Sequence, residues 1–360
     1  MSDQNATRFL AGGAFFKTKT GAQYRGGLFA NRFDSGFMEP QWRSVTQGLP
    51  DNVEVRAIAF HPTEKDIVFV GTQQGPYRSL DGGIHWQSLN FPEKNAVVWS
   101  FAFHPTRPKV MYVGLAPVAI YCSEDGGDHW RKLQGVFSPE YCVMRFPTRV
   151  TGLAVDPSNP DNIYASLEVS GVIGSQDGGE TWSDLSKPLI KLSELPHLKS
   201  RLSSESDSSG MLDSHTIAVS AALPSQPFLA LRMGIFRSPD KGQSWVDTEV
   251  GRYSALVYCR DVMVSPQDPK VMYACFSPAS RSQDGSLYQS QDIGVTWSRF
   301  DHGIKADATM MKVAVHPFNP AVVSCISRCG QVFATNDSGQ HWHTSRLPLD
   351  VQDVYTVGCG

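Results

Sequence analysis

Five arginines fall where the chain repeatedly enters or leaves short apolar stretches: Arg56, Arg232, Arg260, Arg281 and Arg328. A guanidinium binds carboxylate or phosphate through a planar fork of donors. Five of them brought together would suit an anionic ligand. Close to them in pattern is Asp213-Ser214-His215. An aspartate beside a histidine can orient and charge the imidazole for proton transfer, which makes Asp213 and His215 the acid–base candidates. A histidine bonded to a loop carbonyl is the alternative for His215. Ser214 lacks the strained elbow motif of a nucleophilic serine. Trp99, Asp261 and Asp353 lie at equivalent positions and join the arginines as expected ligand contacts, with Lys312, Glu168, Arg145 and Arg149 nearby. The competing account has the arginines pairing with Asp213, Asp261, Asp353 and Glu168 only to fasten the fold together. So much charge exceeds what packing requires, and the site is the preferred reading.

What must position these side chains is a repeated phrase. It reads Ser79-Leu80-Asp81-Gly82-Gly83-Ile84-His85-Trp86 and returns at Ser123–Trp130, Ser175–Trp182, Ser238–Trp245, Ser290–Trp297 and Asn336–Trp342. A worn copy, Asp34-Ser35-Gly36 with Trp42, lies near the N-terminus. The aspartate accepts backbone N–H groups in a tight turn, the glycine supplies positive φ, and the tryptophan covers the turn as the next strand begins. An aspartate required at every turn is a turn residue, not a catalyst. The tryptophans recur roughly 44 to 63 residues apart. Spacing of this order with short alternating strands predicts four-stranded blades.

Inner strands are expected to begin at Arg56, Trp99, Thr151, His215, Arg260, Met311 and Gln352. The seventh, running from Gln352 to Val357, has no blade after it. The N-terminal segment reads as three strands (Phe9–Ala11, Gly27–Ala30, Trp42–Ser44) with no inner strand before them. The C-terminal strand therefore completes the N-terminal blade and removes the exposed sheet edges. The expectation is a single all-β domain over residues 1–360, a closed seven-bladed β-propeller. His61, His104 and His316, each before a proline, mark a second recurrent turn on what is termed the bottom face. Insertions at about 137–149, 184–214 and 277–285 fall on the opposite, top face, where long loops on a rigid scaffold place sites. The second opens with a predicted helix, Leu189–Leu195, and carries a Ser-rich run, Ser203–Ser209.

The pattern Ser-x-Asp-x-Gly-x-x-Trp resembles the Asp-box, or BNR, repeat of sialidase-like β-propellers, over nearly the whole chain. The resemblance implies three kinds of relative. Sialidases hold a substrate carboxylate with three arginines and use a Tyr–Glu nucleophile and an Asp acid. Their Phe-Arg-Ile-Pro signature is absent here, and they have six blades. Xyloglucan hydrolases use seven-bladed domains in tandem with two catalytic aspartates. The photosystem II assembly factor has seven blades and an arginine patch for a protein partner.

The chain has 360 residues, 41% hydrophobic and 19% charged, with a net charge of −3. That charge points to neither nucleic acid nor membrane. The polar N-terminus lacks a signal-peptide core, and no apolar run is long enough to span a bilayer. Seven cysteines (122, 142, 259, 275, 325, 329 and 359), an odd number without Cys-x-x-Cys, predict reduced thiols and a cytoplasmic protein. No dinucleotide or phosphate-loop motif calls for an organic cofactor. Carboxylates around a channel could hold a divalent metal, but no spacing singles out a metal loop. Cys325 and Cys329 would be stretched too far apart along a strand to chelate. Two functions follow: a hydrolase or lyase acting on a small anionic molecule at the channel mouth, or a scaffold offering its top face to a protein partner.

Overall fold

The computed structural model describes residues 7–17, 21–34, 37–38, 41–141, 146–199 and 212–360. Seven antiparallel sheets follow one another around an axis. Blades 2 to 7 have inner strands at Val55–Phe60, Val97–Phe103, Val150–Val155, Ser214–Ala218, Tyr258–Val264 and Met310–Val315, each followed by three further strands in chain order. Blade 1 takes its inner strand, Asp353–Cys359, from the other end of the chain. That strand pairs antiparallel with Thr7–Ala14, from Phe9↔Cys359 to Ala14↔Asp353. Two further backbone bonds tie Arg8 to Gly360, at 2.9 and 3.0 Å. The ring is closed as the sequence predicts. An additional small hairpin, Phe16–Lys17 with Gln23–Tyr24, leaves blade 1 on the top face.

The repeated turn has one construction throughout. In the first copy Ser79 Oγ donates to Asp81 Oδ1 (2.8 Å) and accepts the Gly83 N–H (2.8 Å). Asp81 Oδ1 accepts the N–H groups of Ile84 and His85 (3.1 and 3.0 Å), and Oδ2 faces the His85 ring (2.6 Å). Thr181, Ser244 and Thr296 donate to the corresponding aspartates in place of that histidine. In the last copy Thr335 takes the serine's part, a substitution the sequence pattern hides. Behind the turns, Trp86 and Trp245 donate indole N–H bonds to Val45 and Leu185 of the preceding blade, and Trp42 donates to Ser345 of blade 7. The phrase thus shapes each turn, and at these three tryptophans it also bonds one blade to its neighbour, whereas Trp130 and Trp182 donate to the glycine carbonyl of their own turn. The Ser35-Gly36 part of the worn copy lies outside the described residues, as do Cys142, Arg145 and Ser203–Ser209.

The proline-marked turns are capped as expected. His61 Nδ1 accepts the N–H groups of Thr63 and Glu64, His104 Nδ1 those of Thr106 and Arg107, and His316 Nδ1 that of Phe318. Backbone bonds join these turns to the repeated turns (Gly82 N–H to Asp66 O, Gly126 N–H to Lys109 O), so both sets share one face. The described parts of the insertions lie on the other. The predicted helix runs Lys187–Ser193 with a proline in its first turn, two residues earlier than expected, and a short second helix, Pro196–Lys199, follows. Leu189 and Leu198 are buried against Leu231 and Met233 of blade 5, which holds the insertion onto the ring.

Blades approach most closely where small residues face them. An added Cβ at Gly12, Gly71 or Gly114 would lie 2.6, 2.7 or 2.5 Å from the valine of the next inner strand (Val55, Val98, Val150). Side chains there would hold the sheets apart.

Candidate functional site at the channel mouth

Every inner strand carries a β-bulge near its top end. The pairing skips Arg56, Trp99, Thr151, His215, Arg260, Met311 and, in blade 1, Tyr355. A bulge leaves one residue outside the ladder and re-aims its side chain. Here the seven bulge residues all line a cavity of about 650 Å³ along the axis, although the His215 ring itself is covered. Six of these are the strand starts read from the sequence. The seventh is corrected: Gln352 is not the equivalent residue, Tyr355 is. Two residues before each bulge the chain presents a second ring that includes Glu54, Arg149, Asp213, Tyr258 and Asp353. Asp353 is therefore the counterpart of Asp213.

Most of the charge in this collar is paired. Arg56 binds Glu54, and Arg149 binds Glu168. Arg328 donates to Asp353 Oδ1 through Nε (2.9 Å) with Nη2 at 2.8 Å, and Tyr355 donates to Oδ2 (2.8 Å). Lys312 Nζ and the Val313 N–H bind the two oxygens of Asp261 (2.8 and 3.0 Å), so that buried carboxylate clamps blade 6 to blade 7. The guanidiniums of Arg56 and Arg149, from the blades on either side, lie over the Trp99 ring at 5.0 and 4.1 Å. Trp99 and Tyr355 meet edge to face, with ring centroids 5.4 Å apart. Arg281 is exposed and lies over Phe16 of the small hairpin (4.7 Å).

Arg232 and Arg260 differ. No side-chain hydrogen bond or ion pair joins either to another described residue. Both charges nonetheless act on the Asp213 carboxyl. Burial opposes its ionisation, yet His215, Arg260 and Arg232 together hold it below the usual carboxylate range. Both act also on Tyr258, whose phenol burial pushes up to about 12. Glu168 is raised by burial, with Asp213 adding to the effect and Arg149 and Arg260 opposing it. Burial opposes the charge on Arg260, but Tyr258, Asp213 and Glu168 keep it firmly protonated.

The acid–base candidates meet, with an addition. His215 Nε2 lies 3.3 Å from Asp213 Oδ2 and 3.0 Å from the Tyr258 hydroxyl, while Nδ1 faces the Cys259 carbonyl at 2.6 Å. The imidazole is thus both carboxylate-paired and carbonyl-bonded. Its side chain is fully covered (0% exposed), whereas the Asp213 side chain is 21% exposed. The His215 imidazole therefore lies covered, with Asp213 and Tyr258 against its Nε2. Tyr258 escaped the sequence reading, although it occupies in blade 6 the place of Asp213 in blade 5. Alternation counted back from Arg260 would have found it.

Among the described residues no group of three or more His, Cys, Asp or Glu is arranged to hold a metal ion, and no helix is long and apolar enough to cross a membrane. The described cysteines are free: five are buried and Cys329 is half-buried.

A family model for Sortilin-Vps10 (sortilin, neurotensin receptor 3) matches residues 285–357. Xyloglucanase Xgh74A of Acetivibrio thermocellus is 24% identical over 155 residues, which are 42% of this chain and 17% of that protein. Among solved structures, the GH74 xyloglucanase of Xanthomonas campestris superposes with a TM-score of 0.59 at 18% identity, over 84% of this chain and 46% of that one. YCF48 from Cyanidioschyzon merolae superposes with a TM-score of 0.54 at 15% identity, over 86% of this chain and 90% of that one. The chain therefore spans less than half the length of the xyloglucanases it matches. Taken with the blades and turns above, these likenesses show the fold of a seven-bladed β-propeller, similar to propellers of the BNR, sialidase-like kind.

Proposed function

We propose that the top-face mouth of the channel binds a small anionic molecule on Arg232 and Arg260. One observation carries this reading: in a collar where Arg56, Arg149, Arg328 and Lys312 each have a carboxylate, these two guanidiniums have no bonded partner among the described residues. Acid–base chemistry of a hydrolase or lyase fits the same place. Asp213 would be the exposed proton-transferring group, with His215 and Tyr258 positioning it behind the wall. Trp99 is poorly placed to stack on a sugar, because two guanidiniums already lie over its ring. The test is calorimetric titration with acetate and inorganic phosphate. A charged hydrogen bond is worth roughly 1.5–3 kcal/mol, so Arg260→Ala weakens binding about 10–150-fold. If neither anion binds the folded wild-type protein, the reading fails. Release of p-nitrophenol from anionic aryl esters, lost in Asp213→Asn with anion affinity retained, is the catalytic readout.

A second reading, a scaffold for a protein partner, draws on two observations. The chain matches YCF48 over nearly the whole of both chains. Phe137, Phe146, Tyr253 and Leu349 are exposed on top-face connections. Exposed apolar side chains suit a protein surface.

A further inference from the structure

The cavity changes character along its length. At the collar it is charged. One residue below its bulge, Lys312 is paired with Asp261; from two residues below the bulges the inner strands contribute Ile58–Phe60, Phe101–Phe103, Leu153–Val155, Ile217–Val219, Val262–Val264, Val313–Val315 and Val357–Cys359, and no charged side chain. Ile58, Phe60, Phe101, Phe103, Val155 and Met263 are only half-buried, so they present apolar surface to the cavity. The shaft continues to the prolines of the bottom turns, Pro62, Pro266 and Pro317. Its volume of about 650 Å³ lies within the range of small-molecule sites, ~300–1,000 Å³.

We infer that the ligand is an amphiphile, a carboxylate or similar anionic head on Arg232 and Arg260 with a flexible hydrocarbon tail running down the shaft. The inference rests on the anion site proposed above and adds the tail. Two features of the wall support it. An ion that lay wholly within the collar would leave the apolar shaft in contact with water, whereas an alkyl chain removes that surface from water. The collar has charges only at the top, so a neutral chain inserted from that side crosses no charged group after its own head is bound. The shaft is also kept open by small residues: Ala59, Ala102, Ala154 and Ala314 alternate with the larger side chains. This leaves room that a larger side chain would close.

The experiment is a homologous series of straight-chain carboxylates, acetate, butyrate, hexanoate and octanoate, titrated calorimetrically into the wild-type protein at fixed ionic strength and below micelle-forming concentrations. Burial of each methylene is expected to tighten binding about fourfold. The heat-capacity change should become more negative along the series. Ala59→Leu, which fills the shaft below the head group, should abolish the gain for octanoate and leave acetate affinity unchanged. Arg260→Lys, which keeps the charge but loses the fork, should weaken every member by a similar factor. Equal affinities from acetate to octanoate would overturn the tail while leaving the anion site standing. Absence of binding by every member would overturn the anion site itself. If Ala59→Leu fails to fold, the wild-type series alone still decides between these outcomes.

Discussion

At the scale of single residues, the collar separates fastening from function by whether a charge already has a partner. Asp261 belongs to the first kind. It is 1% exposed and accepts from Lys312 and from a backbone N–H across a blade boundary. Asp261→Ala leaves that N–H without an acceptor, and should lower stability by about 1–3 kcal/mol in urea unfolding while leaving anion affinity intact. Loss of affinity at full stability would place Asp261 in the site instead. Arg328 is likewise engaged by Asp353, whereas Arg260 is not. Nothing in the sequence distinguishes these two arginines. One lies within an inner strand and the other just after a second strand, and the partner that differentiates them comes from another strand through the closed ring. The contact of Asp213 with His215 was legible because the two lie two residues apart where the chain enters one strand. Tyr258 was not, because its bond to His215 crosses from blade 6 to blade 5.

At the scale of the turn, the two recurrent loops of the bottom face both depend on protonation. Burial lowers the pKa of His61, His104 and His316 below 6.5, and each Nδ1 accepts backbone N–H groups that protonation would displace. These rings bind fewer protons folded than unfolded. Their contribution is complete above about pH 6.5 and is lost as pH falls through the lowered values. The repeat aspartates act in a lower window. Burial works against ionisation of Asp81, but the N–H groups and side chains of its turn win and bring it from 3.8 to about 2. In Asp177 the Thr181 hydroxyl and N–H lead to the same value. Their share is present above about pH 4 and is lost towards about pH 2. His129, raised by its bond to Asp125, works in the opposite sense and offsets part of the first loss. The urea midpoint should be level near neutrality, decline gently below about pH 6.5 and fall steeply below about pH 4. A midpoint that rose on acidification from pH 7 to pH 5 would contradict the assignment. These turns were readable in advance because their hydrogen bonds are local and the residues that make them lie within a few positions of one another.

At the scale of the whole molecule, stability depends on the junction of the two chain segments in blade 1. Removing residues 351–360 would strip Thr7–Ala14 of its partner and uncover Phe9, which is fully buried. The expected result is a single cooperative transition at a clearly lower melting temperature, since every blade leans on two neighbours. An unchanged melting temperature would show that the ring does not depend on its closure. The number of blades was legible because the repeat declares itself many times. The register of the closing strand was not. A bulge adds one residue, so alternation above and below it runs out of phase, and the strand offers apolar residues in two frames. Gln352 was the start in one frame, and pairing with Thr7–Ala14 selects the other, in which Tyr355 faces the channel.

That junction has a corollary for the order of the chain. Arg8 and Gly360 exchange backbone bonds, so the two ends of the described fold are neighbours in space. Around a closed ring the point at which the polypeptide starts is then an accident of sequence rather than of architecture. A short Gly-Ser bridge could join these ends, and the chain could be opened elsewhere, for example at Gly303, whose Cβ position is open to solvent on every side. In such a circular permutant the junction in blade 1 becomes an ordinary covalent connection, and proteins fused to the new termini would emerge between blades 6 and 7.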